Sequence, residues 1–90
     1  MAEKYQSGTW IAFNAGALCR EMSLAEGRKQ LGIAEGVLIP EGREAVLVQP
    51  LGNDAHTVFF PKSNQFGWVY NFDFRVDEDR PRLALNLEKR

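Results

Sequence analysis

The sequence predicts an α+β domain in which a single helix packs on a curled antiparallel sheet of five to six strands. Three observations carry this expectation. From Gly67 to Val76 the chain reads Gly-Trp-Val-Tyr-Asn-Phe-Asp-Phe-Arg-Val, with an aromatic or apolar side chain on every second residue. A period of two belongs to a strand with one buried and one wet face. Ser23-Leu24-Ala25-Glu26 fits a capping box, and Gly32 stands where a left-handed residue would end the helix. Around these features, short apolar runs recur at roughly ten-residue spacing between turn signals, so a small β-barrel is the alternative.

The elements follow in chain order. Residues 1–7 are polar, and chain ends of this kind fray. Thr9-Trp10-Ile11-Ala12-Phe13 reads as a first strand and residues 14–16 as a turn. Residues 24–31 form the expected helix, with residues 17–22 as an earlier turn of it or a separate segment. Gly27 weakens that helix by about 1 kcal/mol relative to Ala. Its apolar stripe, Leu24 and Leu31 beside Arg28, is narrow, so the helix needs a sheet to lean on. Val37-Leu38-Ile39 and Ala45-Val46-Leu47-Val48-Gln49 flank Pro40-Glu41-Gly42, good type I turn chemistry, and suggest a hairpin. Residues 56–60 form a strand closed by Pro61, residues 62–67 a loop, and residues 83–87 a last strand of alternating leucines.

Register follows from matching apolar faces. Pairing the aromatic strand with the last one sets Phe74 opposite Leu85, Phe72 opposite Leu87 and Asp73 opposite Asn86. Val58 and Phe60 then join the aromatic face, which is expected to be the core. Phe59, Val69, Asn71, Asp73, Arg75 and Asn86 share the other side. Helix-wrapping sheets of the cystatin-like and hot-dog-like kinds are topological analogies, as are SH3-like or OB-like forms for the barrel alternative.

Ninety residues make one domain, spanning residues 1–90. A chain this short buries roughly 60–65% of its unfolded surface, so its core is thin. A hydrophobic share of 44% and a charged share of 26% fit a globular domain rather than a disordered one. The net charge of -1 gives no general drive toward nucleic acid. A single cysteine, Cys19, cannot form an internal disulfide. No signal-like apolar segment and no 18-residue apolar run is present, so the expectation is a cytoplasmic protein without membrane association.

Chemistry-bearing motifs are sparse. One His and one Cys make no metal-ligand pair, and Asp77, Glu78 and Asp79 lack calcium-loop spacing. No phosphate-cradling glycine motif appears, so neither metal nor cofactor is expected. Asp54 could orient His56 for catalysis from two residues away, with Cys19 as a conceivable nucleophile. The chain is therefore read as a non-enzymatic protein–protein interaction module, an inhibitor, adaptor or accessory factor. Small inhibitors of phages or mobile elements share these bulk properties. The expected binding residues are Phe59, Phe66, Trp68, Asn71, Asp73 and Arg75, on a sheet face or edge, with homodimerisation a live option. The first alternative is a nucleic-acid-binding barrel using Arg75, Arg80 and Arg82. The second is a small enzyme or ligand-binding domain using His56.

Overall fold

The computed structural model describes residues 5–24, 36–52 and 54–84. Within them the chain forms seven strands: β1 (Trp10–Phe13), β2 (Leu18–Leu24), β3 (Val37–Leu38), β4 (Glu44–Leu51), β5 (Ala55–Phe60), β6 (Gln65–Tyr70) and β7 (Phe74–Val76). A 3-10 turn over Asn71–Asp73 separates β6 from β7. All pairings are antiparallel, in the order β3-β2-β6-β5-β4-β1-β7.

This order forces the sheet to roll. β1 and β2 are joined by only four residues, yet three strands lie between them in the sheet. In a flat sheet they would stand four interstrand spacings, roughly 19 Å, apart. Five residue steps reach at most about 18 Å fully extended. The link is not extended: Ala17 N–H donates to Asn14 O at 3.3 Å, closing a turn. The sheet therefore curls into a half-barrel. Residues 39–43 bridge the ends of β1 and β2, with Ile39 N–H on Ala17 O at 2.8 Å and Gly42 N–H on Phe13 O at 2.8 Å.

The core lies inside the roll. Ile11, Phe13, Cys19, Met22, Ile39, Leu47, Val58, Phe60, Val69 and Phe74 form one buried cluster. Phe13 and Phe60 stack at 5.7 Å with their planes 16° apart. Two bulges set the curvature. β4 carries an extra residue, Val48, between its pairings to Val58 and Thr57. β2 shifts register between Arg20 and Ser23, where Glu21 adopts φ 53°. Bulges of this kind bend a strand and raise its twist.

The structure overturns the expected α+β fold. Residues 18–24, expected in part to be helical, form β2, and none of the described residues is α-helical. Ser23, read as a helix cap, pairs with Phe66 across the sheet. The remainder of the expected helix, residues 25–31, lies outside the described residues. The spacing of Ser23 and Glu26 imitates a capping box, but Ser23 is held in the ladder by β6, and tertiary pairing overrides the local signal. Cys19 and Met22 both turn inward because the bulge inserts a residue between them.

Other expectations need correction. A turn forms at Pro40, but it is closed by Arg43 N–H on Pro40 O at 3.1 Å with Gly42 at φ 84°, so Pro40 stands first and Gly42 third rather than second and fourth as type I chemistry predicts, and its flanks do not make a hairpin. β3 pairs with β2, and β4 pairs with β5 and β1. Phe74 pairs with Phe13 of β1, not with a last strand, and residues 81–84 are not in a strand. Leu85, Asn86 and Leu87 lie outside the described residues. The aromatic run is not one strand, because the 3-10 turn divides it. That turn inserts an odd number of residues between the inward side chains Val69 and Phe74, so the facing parity changes across it.

Candidate interaction face

Antiparallel partners directly opposite one another project to the same face. β5 and β6 pair as Val58↔Gly67, His56↔Val69, Phe59↔Phe66, Thr57↔Trp68 and Ala55↔Tyr70. Val58, His56 and Val69 are buried in the core, so Phe59, Phe66, Trp68 and Tyr70 stand on the outer face. This reverses the expected assignment of the aromatic stripe to the core and of Val69 to the outer side. The cause lies in volume. Gly67 on the inner side of β6 makes room for β2, and a Cβ there would strike Cys19 Sγ and lie 3.1 Å from Arg20 O. Only the narrow Gly67/Val69 side of β6 fits against Cys19 and Met22. The broad aromatic side must face out.

The register extends this face across the sheet. One row runs Trp10 (β1), Val46 (β4), Phe59 (β5), Phe66 (β6) and Ser23 (β2). The next runs Gln49, Thr57, Trp68 and Arg20, and a third Leu51, Ala55 and Tyr70. The aromatic rings contact one another along and between these rows. Phe59 and Phe66 lie 4.7 Å apart, Trp68 and Tyr70 meet edge to face at 5.1 Å, and Tyr70 and Phe72 stack at 5.3 Å with a 5° tilt. The Arg20 guanidinium sits over both Trp68 (5.5 Å) and Tyr70 (5.2 Å). Among the described residues its buried Nη1 has no hydrogen-bond partner, so the rings are its main company. Phe72 is 74% exposed, Leu38 65% and Leu51 41%. A shallow depression of about 270 Å³ opens between Glu21, Ser23, Leu51, Thr57, Phe66 and Trp68.

Of the residues expected to bind protein, Phe59, Phe66 and Trp68 come together here. Asn71, Asp73 and Arg75 do not. Asn71 Oδ1 lies 2.8 Å from His56 Nδ1, and its backbone N–H donates to Asp54 O at 2.7 Å. Asp73 O accepts from Asn14 N–H at 2.9 Å. Arg75 Nη1 donates to Asn14 Oδ1 at 2.9 Å, and Asn14 Nδ2 donates to Phe72 O at 3.2 Å. These polar residues fasten the 3-10 turn. Arg20, Tyr70 and Phe72 are the members of the face that the sequence reading left out of its site. The alternation puts Tyr70 and Phe72 in the expected core, and Arg20 falls in residues 17–22, read as an earlier helical turn or a separate segment.

The residues considered for nucleic acid are each engaged within the chain. Arg80 Nη1 forms a 2.6 Å ion pair with Glu44 Oε1, Arg82 Nη1 donates to Gln6 Oε1, and Arg75 is held by Asn14. His56 is 4% exposed, with its ring 5.1 Å from Tyr5 and 6.2 Å edge to face with Phe74. Asn71, not Asp54, orients it. Burial pushes the Cys19 thiol up from 9.0 to about 12, against smaller lowering effects of a Trp68 backbone hydrogen bond and the Arg20 charge. A thiol so placed stays protonated at neutral pH and is a packing group rather than a nucleophile. Among the described residues no group of three His, Cys, Asp or Glu side chains could hold a metal ion, and no helix is long and apolar enough to cross a membrane. Comparison with protein families, characterised proteins and solved structures finds no match to this chain.

Proposed function

We propose that the chain is a protein-binding module whose contact surface is the outer aromatic face of the sheet. One observation carries the reading: the Trp68–Tyr70–Phe72 ribbon of contacting rings, edge to face and then stacked, with Arg20 laid over its first two rings and the 74% exposed Phe72 at its open end. Interface centres are enriched in these residue types, and rings already packed on one another lose little freedom when a partner covers them. Leu38 and Leu51 extend the apolar surface. The face carries few charges, and the chain as a whole is nearly neutral, which suits a protein partner better than a polyanion.

The test compares the wild-type chain with Phe72→Asp in nuclease-treated capture from an extract of the source cells, together with sedimentation of each purified protein. Phe72 is mostly solvent-facing, so the variant is expected to keep its fold, checked by circular dichroism. One protein retained by wild type and lost with Phe72→Asp supports the reading. Self-association lost in the variant identifies the partner as a second copy. Equal retention of the same proteins by both chains sinks it.

A second reading is single-stranded nucleic acid. The near-parallel Tyr70–Phe72 pair is the favouring observation, because exposed rings can stack on bases. The engagement of Arg75, Arg80 and Arg82 inside the chain weighs against it. Binding of a labelled single-stranded oligonucleotide that weakens steeply with salt and is lost in Phe72→Asp would promote this reading.

A further inference from the structure

A recess of about 220 Å³ opens at the β1 end of the outer row, between Trp10, Gly42, Arg43, Glu44, Lys62 and Arg80. It draws three cations together from separate parts of the chain: Arg43 beside the Pro40 turn, Lys62 after β5, and Arg80 beyond β7. One carboxylate, Glu44, lines it, and that charge is already matched by Arg80 at 2.6 Å. The Arg80 guanidinium also sits over Trp10, its Cζ 3.6 Å from the ring centroid, so this wall is held from two sides. Arg43 packs its guanidinium over Phe60 at 5.1 Å. Among the described residues neither Arg43 nor Lys62 has a carboxylate partner.

The lining thus carries two cations in excess. A phosphate monoester carries about −1.5 to −2 charge at pH 7 and several acceptor oxygens. Arginine offers it a planar fork and lysine a point charge. The volume lies below the range usual for drug-sized ligands, which sets the scale at a phosphate group with little attached. We propose that this recess binds a phosphate dianion, free or as a small phosphate ester, with Arg43 and Lys62 as its direct contacts and the Arg80–Trp10 stack as a fixed wall. The site does not depend on the aromatic face having a protein partner.

The test is a titration of the full chain with inorganic phosphate and, separately, with glycerol 3-phosphate. Amide and indole NMR signals are followed at ionic strength held constant with chloride. Saturable shifts centred on the Trp10 indole N–H and the Gly42 amide are expected. Affinity should fall at least tenfold in Lys62→Gln and in Arg43→Gln, and stay unchanged in Phe72→Asp. Tighter binding of the ester names an ester as the ligand, and equal or weaker binding of the ester names the free ion. Lys62 is exposed, so its variant remains informative even if Arg43→Gln, which also loses a contact with Phe60, unfolds. Shifts that fail to saturate, that chloride reproduces, or that survive unchanged in Lys62→Gln overturn the proposal.

Discussion

Gly67 decides which side of β6 is the inside. Its missing side chain lets Cys19 and Met22 of β2 close over the strand. Gly67→Ala is expected to lower stability by about 1–3 kcal/mol, the range for overpacking a dense core, read as a shift in denaturant midpoint. An unchanged midpoint would mean that β2 yields easily. Cys19 adds a pH dependence of known sign. The unfolded thiol ionises above 9.0, while the folded one holds its proton to about 12. Stability is therefore fully present below pH 9 and falls from there toward 12, by at most about 1.4 kcal/mol per pH unit. Cys19→Ala should lose that alkaline slope, and an identical slope in both proteins would assign it to other groups. In the wild type, a thiol-reactive reagent at neutral pH should modify Cys19 only after denaturant is added.

At the scale of elements, the 3-10 turn matters most, because it ends the aromatic face and returns the chain to the core. Residues Trp68 and Tyr70 point out and Phe74 points in, only because Asn71–Asp73 shifts the parity. Asn71 anchors the turn through His56 and Asp54 O, and Asn14 anchors it from the β1–β2 link. Asn71→Ala leaves a buried imidazole nitrogen unmatched and is expected to cost about 1–3 kcal/mol. It should also broaden the signals of Phe72 and Phe74 together, whereas a local defect would touch only its own neighbours. The sequence disclosed part of this arrangement. Trp10–Phe13 and the Pro40 turn could be read from local composition, and the β5 strand from its β-branched and aromatic run. The direction in which the alternating strand faces could not, because both of its sides are apolar enough to be buried. That choice rests on Cys19 and Met22, more than forty residues away in sequence. The capping-box spacing of Ser23 and Glu26 similarly hid the end of β2, whose pairing with β6 is set by residues more than forty positions away. The outer site was legible as a list of aromatics but was placed on the wrong side of the sheet.

For the whole molecule, connectivity is the governing fact. Half of the strand pairings join elements distant in sequence: β1 pairs with β4 and β7, and β2 with β6. Among the sequential pairs, β4–β5 and β5–β6 are joined by short turns. Loop closure must precede the contacts that reward it, so refolding is expected on a millisecond-to-second timescale rather than in microseconds. Stopped-flow refolding followed by tryptophan fluorescence would check this, and a complete signal change within the dead time would contradict it. Hydrogen exchange should be slowest in β4 and β5, which are paired on both sides, and faster in β3 and β7 at the two ends of the order.

The two apolar faces of β6 have a cost during folding that the finished structure conceals. Sliding β6 by one residue against β5 would exchange Trp68 and Tyr70 for Gly67 and Val69 on the inside, and by hydrophobicity alone the slipped pairing would be welcome. What rejects it is bulk: two large rings cannot enter the space that Cys19 and Met22 leave above a glycine. Discrimination between correct and slipped chains is thus steric, and it arrives only when β2 docks. Before that moment the β5–β6 hairpin is ambivalent, and a chain held there has a broad sticky side whichever way it faces.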